Sequence, residues 1–257
     1  MEKPLILKDP VVLQLLGPGY EHDMERASHS VARDFRAFMA VRSRYAEDLL
    51  AEAVRVGVTQ YVVLGAGLDT FAYRNPYPGL QVFEVDFPAT QEWKRAKLAE
   101  SGITEPANLT FVPLDFEHHT LAEGLAEAKF DVTKPAFFGW LGVVPYLTRP
   151  AFEASLATIG ALPVGTGVCF DYALDPATLT PLRRAVFDAL AERVARAGEP
   201  FQLFFTPEEL EQTLRRAGFS RVEHADRAAM NERYFNGRAD GLRLSKEAAG
   251  QMAAAWV

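Results

Sequence analysis

From about residue 43 onward, short runs of β-branched and aromatic residues alternate with stretches whose apolar positions recur at helical spacing. The runs at 60–64, 80–85, 109–112, 135–140, 166–173 and 219–225 predict strands. Helices between them predict a mostly parallel sheet covered on both faces, because a parallel pair needs a long crossover and a helix there buries a sheet face. Residues 43–56 put Tyr45, Leu49, Ala53 and Val56 on one helical stripe and then meet Gly57, the residue expected just past a helix end. Thr206-Pro207-Glu208-Glu209 has the make-up of a capping box with proline in the first turn, which predicts a helix through Arg216 to Gly218.

Two segments stand outside this alternation. Residues 1–42 read as helical pieces broken at Asp9-Pro10 and Gly17-Pro18-Gly19. Residues 174–205 insert a helix between two late strands, with Leu182, Val186, Leu190 and Val194 at a spacing of four before Gly198. That stripe serves either surface packing or a lid over a ligand. The expected organisation is one domain over 1–257: a helical cap (1–42), a cofactor-binding core (43–173), the helical insertion (174–205) and the last part of the sheet (206–257).

The chemistry concentrates at Tyr61 to Arg74 and Val82 to Pro88. An apolar run stops at Gly65-Ala66-Gly67 and is answered about twenty residues later by Asp86. Open α/β sheets grip an adenosine in this way: glycine admits the ligand where a Cβ would collide, and the acid accepts from the ribose hydroxyls. Glu84 alternates with Asp86 on the strand and reads as a helix-start charge or a second ligand. A dinucleotide turn prefers a third glycine where this chain has Thr70. Asp69 and Thr70 suit a loop with polar groups turned to a cofactor lacking a pyrophosphate, which favours S-adenosylmethionine over NAD.

Composition narrows the field. The 49% hydrophobic content is enough for a sizeable core, and 27 Lys and Arg against 34 Asp and Glu give a net charge of -7 without long one-sign blocks. This argues against a broad basic nucleic-acid-binding face. The single cysteine, Cys169, lies in an apolar run and reads as a buried small hydrophobe, so no disulfide framework forms within one chain. His118-His119 point different ways from a helix, which argues against a shared metal. Neither a signal peptide nor an 18-residue apolar span is evident, so a cytoplasmic protein with no membrane segment is expected.

Arg42-Ser-Arg-Tyr, Leu64-Gly-Ala-Gly-Leu-Asp-Thr, Phe83-Glu-Val-Asp-Phe-Pro, Leu114-Asp-Phe, Trp140-Leu-Gly-Val and Tyr146-Leu-Thr together resemble the leucine carboxyl methyltransferase family, including its bacterial small-molecule O-methyltransferase branch. The resemblance extends from about Asp9-Pro10 to Thr206. It implies a class I, Rossmann-like methyltransferase fold with a seven-stranded, mostly parallel sheet and S-adenosylmethionine as methyl donor. It further implies that Arg42, or failing it Arg44, holds the methionine carboxylate. By the same resemblance Gly65 and Gly67 line the methionine part, Asp86 takes the ribose, and Asp115 with Phe116 brackets the adenine. The eukaryotic members have a glutamate where this chain has Leu141, and many relatives carry a segment before the Asp-Pro pair that is absent here. Leu141 in place of that acid points away from the phosphatase C-terminal leucine as substrate and towards the small-molecule branch, and the shorter N-terminus leaves one wall of the pocket open or completed by a partner chain.

The residues also admit plainer readings. Arg42 and Arg44 fit solvated charges at a helix start, and Asp115 fits a helix cap. Trp140 and Tyr146 flank the end of the fourth strand, where a methyl acceptor sits in this architecture, yet both also suit core packing. A carboxylate acceptor needs no base. A hydroxyl acceptor benefits from one, for which His22, His29 and Tyr146 are candidates. The expectation is O-methylation of a small molecule by in-line displacement. An NAD-dependent oxidoreductase and a non-catalytic S-adenosylmethionine-binding protein are the alternatives.

Overall fold

The computed structural model describes residues 5–17, 30–115, 118–196, 198–246 and 248–257. Its elements run α1 (Pro10–Leu16), α2 (Ser30–Arg55), β1 (Gln60–Leu64), a 3-10 turn (Phe71–Arg74), β2 (Gln81–Asp86), α3 (Pro88–Glu100), β3 (Leu109–Pro113), α4 (Leu121–Glu127) and β4 (Phe137–Trp140). A 3-10 turn (Val144–Tyr146), α5 (Arg149–Gly160), β5 (Gly167–Leu174), a 3-10 turn (Pro176–Thr178) and α6 (Pro181–Arg196) follow. The chain continues through β6 (Phe204–Phe205), α7 (Pro207–Arg216), β7 (Arg221–Ala225), α8 (Arg227–Phe235) and β8 (Gly250–Trp256).

The strands form one sheet in the order β3-β2-β1-β4-β5-β8-β7, with β6 paired beside the end of β5. All pairs are parallel except those of β8, which runs antiparallel to both β5 and β7. The chain leaves β1 in one direction to build β2 and β3, then returns to place β4 on the other side of β1. The strand order therefore reverses between β1 and β4, and open α/β sheets bind ligands in the crevice outside the strand ends at such a point.

Each strand feeds both faces, as the period of two requires. Val62 and Leu64 of β1 join a core containing Phe138, Phe152 and Phe170, whereas Tyr61 and Val63 join a second core with Val41, Leu50 and Phe137. Helix α2 covers the second face. Arg227 of α8 pins it there by donating from Nη1 to both carboxylate oxygens of Asp34 at 3.1 Å while its guanidinium lies 4.7 Å over the Phe38 ring. At its far end Gly57 N–H donates to Val54 and Val58 N–H to Ala53, the paired bonds of a glycine-capped terminus.

Several expectations change. The six expected strands are present, but the sheet has eight strands rather than seven: β6 is a two-residue pairing too short to read in the sequence, and the alanine-rich β8 carried no strand signal because alanine is depleted in strands. The helix expected from 43 begins by Ser30, so the 42/43 boundary of the cap falls inside α2. The α6 stripe faces water: Leu182 is 62% exposed and Val186 and Leu190 are also exposed. The helix packs instead through Phe187, one position on, whose ring lies 5.9 Å from Phe201 and 5.7 Å from Phe204. At Thr206 half of the capping box forms: its hydroxyl accepts from Glu209 N–H at 3.1 Å, but the Glu209 carboxylate pairs with Arg149 at 2.9 Å. Cys169 is fully buried as expected, and burial pushes its thiol well above the ordinary range.

Candidate functional site

The loop after β1 is fastened to the end of β2. Gly65 N–H and Ala66 N–H both donate to the Val85 carbonyl, at 2.8 and 3.2 Å. Asp86 closes the arrangement: its Oδ2 accepts from Gly67 N–H at 2.5 Å and its Oδ1 from Phe87 N–H at 2.7 Å. Gly65 has φ +66°, and a Cβ there would overlap Val143 Cγ2, so glycine is required on both backbone and packing grounds. Asp69 Oδ1 accepts from Phe71 N–H at 2.8 Å and starts the 3-10 turn. The Asp69 carbonyl accepts from Lys94 Nζ of α3 at 2.6 Å.

These bonds hold open a cavity of about 370 Å³ at the switch point. The loop 65–70 forms one wall, Gly139 and Leu141 at the end of β4 a second, and Arg42 and Ser43 of α2 a third. Tyr61 and Val63 are its floor, and Leu7 and Asp9 of the N-terminal segment cover one side. That cover is latched: Asp9 Oδ1 accepts from Val12 N–H at the start of α1, and its Oδ2 accepts from the Thr70 hydroxyl. Arg74 lies 3.5 Å from the same carboxylate and grips Glu47 of α2 with two bonds. Thr70 is thus buried and engaged by protein.

Arg42 reaches the cavity from α2 and donates from Nη1 to Asp171 Oδ2 of β5 at 3.2 Å. Asp171 Oδ1 accepts from Gly142 N–H at 2.5 Å, which ties the turn after β4 to the same acid. Arg44, two positions along the helix, points away; it is exposed and pairs with Asp48 at 2.8 Å. The expectation that it backs up Arg42 is therefore corrected.

For Trp140 the core-packing reading holds, and a place beside the ligand is corrected. Its neighbours Gly139 and Leu141 line the cavity, so strand alternation sends Trp140 to the opposite face, fully buried between Phe152 (5.4 Å) and Phe170 (6.4 Å). Tyr146, in the turn after β4, is half-buried, with its ring 5.2 Å from Phe201 of the insertion. Gln202 Nε2 donates to the Tyr146 carbonyl at 2.8 Å, and Gln202 N–H to that of Pro145 at 2.7 Å. The insertion is thereby docked on the β4 turn. Burial, then Glu199 and Asp171, raise the Tyr146 hydroxyl above the ordinary phenol range, so at neutral pH it is a hydrogen-bonding group rather than a base.

On the other side of the glycine loop, Asp86 lies outside the cavity with Phe87 half exposed beside it. Asp115 follows β3 next to this position: Leu114 N–H donates to the Asp86 carbonyl at 2.8 Å, and His118 Nδ1 lies 3.0 Å from Asp115 Oδ2. Phe116, His22 and His29 fall outside the described residues. Glu84 is neither a helix-start charge nor a cofactor ligand; it is fully buried in β2 and paired with Lys94 Nζ at 2.7 Å.

Asp171, Tyr61 and Lys94 were not singled out as site residues. Asp171 had a readable signal, an acid inside the apolar run Cys169 to Ala173, since a buried charge needs a partner. Among the described residues no group of three or more His, Cys, Asp or Glu is arranged to hold a metal, and no helix is long and apolar enough to cross a membrane.

A profile of leucine carboxyl methyltransferase matches residues 2–160. YktD of Bacillus subtilis (strain 168), which is named for S-adenosyl-L-methionine-dependent methyl transfer, is 37% identical over 204 residues, 78% of this chain and 67% of that one. A similarly named protein of Mycolicibacterium paratuberculosis is 38% identical over 157 residues, 60% of this chain and 58% of that one. The chain thus spans between about half and two thirds of the length of these relatives. Among solved structures, a DUF574 family protein from Streptomyces avermitilis superposes with a TM-score of 0.60 at 19% identity, over 91% of this chain and 88% of that one. A magnesium protoporphyrin IX methyltransferase from Synechocystis superposes with a TM-score of 0.51 at 12% identity, over 96% and 99%. The fold is that of the class I methyltransferases, and the chain belongs to the leucine carboxyl methyltransferase family.

Proposed function

We propose that the protein is an S-adenosylmethionine-dependent methyltransferase acting on an oxygen, carboxylate or hydroxyl, of a small molecule. The observation that carries this reading is the glycine loop at the switch point, bonded to Asp86 on one side and faced by Arg42 across the cavity on the other. The residues suit the cofactor. Gly65, where a side chain would collide with Val143, keeps bare backbone in the cavity wall, and Arg42 offers a guanidinium for a carboxylate. Asp86 retains lone pairs for ribose hydroxyls, with Phe87 and Asp115 beside it on the adenine side.

When bound, S-adenosylmethionine supplies a methyl group on a positively charged sulfur, open to in-line attack by an oxygen. The chain's task is then alignment and exclusion of water. Arg42 and the loop amides anchor the donor. Leu141 and Tyr146, at the β4 end, border the position from which an acceptor approaches, and the docked insertion supplies Phe201 to that wall. A carboxylate acceptor is already nucleophilic and needs no proton removed. Leu141, apolar where the eukaryotic relatives have an acid, supports a small-molecule acceptor.

The test has two stages. Calorimetric titration with S-adenosylhomocysteine is expected to give micromolar binding. Incubation with methyl-labelled S-adenosylmethionine and panels of carboxylic acids, phenols, alcohols, amines and thiols is then expected to label oxygen acceptors. Labelling confined to amines or thiols would overturn oxygen transfer, and no binding would overturn the cofactor.

A further inference from the structure

Tyr61 stands on the floor of the cavity, on β1 four residues before Gly65, and only 3% of it is exposed. Its ring is fixed by aromatic neighbours: Phe71 meets it edge-on at 5.0 Å and Phe137 stacks at 6.2 Å. Its hydroxyl projects towards Gly139 of β4, where any Cβ would overlap the oxygen. The absence of a side chain at Gly139 therefore leaves the hydroxyl its place.

The polar side chains around it are already engaged. Asp9, Thr70 and Arg74 bind one another, Arg42 binds Asp171, Ser43 donates to the Met39 carbonyl, and Asp69 caps the turn at Phe71. Tyr61 is the polar side chain of the lining that makes no hydrogen bond among the described residues. The hydroxyl is not sealed in the core but open to the cavity, where a ligand group can meet it, and in the same lining Arg42 Nε is a buried donor without a partner among the described residues. Asp86, Phe87 and Asp115, assigned above to the adenosine, lie outside the lining, so under that assignment the cavity takes the other end of the ligand.

We infer that the Tyr61 hydroxyl binds the amino-acid head of S-adenosylmethionine, the ammonium and carboxylate of its methionine part, alongside Arg42. This inference rests on the proposed cofactor. Burial, with Asp69 and Glu47 adding to it, keeps the phenol protonated, so it can donate to a carboxylate or accept from an ammonium without carrying charge itself. The group is specific to one atom: phenylalanine would keep the ring packing and delete only the oxygen.

The experiment compares the unaltered protein with Tyr61→Phe in calorimetric titrations of S-adenosylhomocysteine and of methylthioadenosine, which keeps the adenosine and sulfur but lacks the amino-acid head. Tyr61→Phe is expected to weaken S-adenosylhomocysteine about tenfold, the effect of one hydrogen bond to a charged group. Methylthioadenosine affinity and the thermal midpoint are expected to stay unchanged. Equal weakening of both ligands, or of neither, would overturn the inference while leaving the cofactor reading intact. Failure of the unaltered protein to bind S-adenosylhomocysteine would overturn both.

Discussion

Arg42 and Asp171 face each other across the cavity wall, with Arg42 Nη1 3.2 Å from Asp171 Oδ2, and both are largely buried. The pair joins α2 to β5, and through Gly142 N–H the same acid holds the turn after β4. One carboxylate thus holds both the Arg42 guanidinium, proposed above to meet the cofactor, and the turn after β4. A buried charge pair contributes modestly to stability, but loss of one partner leaves the other uncompensated.

Arg42→Ala is expected to weaken S-adenosylhomocysteine binding about tenfold or more, because a charge-assisted bond to the ligand carboxylate is lost. Asp171→Asn keeps the shape but removes the charge, and is expected to weaken binding by a smaller factor through misplacement of Arg42. The double variant should then lose less than the sum of the two. Strict additivity in the calorimetric titrations would show that the two residues do not act as a unit.

Asp86→Asn leaves an acceptor oxygen but places an amide where the Gly67 N–H or a ribose hydroxyl must donate. The expected loss of S-adenosylhomocysteine affinity is about tenfold, in line with one compromised bond to a charged group. A variant that binds as tightly as the unaltered protein would remove Asp86 from the adenosine site.

The strands that meet at the site were legible because β1, β2, β4 and β5 are runs of β-branched and aromatic residues, and the glycine loop and Asp86 stand at fixed distances along the sequence. What stayed hidden depends on contacts between distant segments. Tyr61 and Trp140 are both aromatic residues in strands, and only register decides that one faces the cavity and the other the opposite core. Lys94 looks like a solvated helix charge in sequence, yet its ammonium reaches under the loop to Asp69 and Glu84. The α6 stripe misled because its hydrophobic spacing is real but the helix docks one residue further round, through Phe187.

Helix caps show the same division. Thr120 and Glu123 form a complete reciprocal capping box at α4, unnoticed in the sequence, whereas Thr206 caps α7 without help from Glu209. Thr120→Ala and Thr206→Ala are each expected to lower stability by about 1 kcal/mol in urea unfolding. Glu209→Gln should cost less than Glu123→Ala, since Glu209 spends its carboxylate on an exposed pair with Arg149. The reverse order would contradict the assigned caps.

The Glu84–Lys94 pair makes stability depend on pH. Burial pushes the Glu84 carboxyl up to about 7 from its ordinary 4.5, with Asp69 and Asp86 adding to the rise and Lys94 opposing it. Glu84 Oε1 has no hydrogen-bond partner among the described residues, and Tyr73 lies on the other side of the Lys94 ammonium. Because the folded protein holds this proton more tightly than the unfolded chain, the contribution of Glu84 is full below about pH 4.5 and is lost as pH rises towards 7. One proton limits the slope to about 1.4 kcal/mol per pH unit. Glu84→Gln cannot titrate, so its stability relative to the unaltered protein is expected to improve between pH 5 and 7 and then run parallel above that. Urea unfolding of both proteins from pH 5 to 8 measures the difference directly, and curves parallel throughout would mean that Glu84 keeps its charge in the folded state.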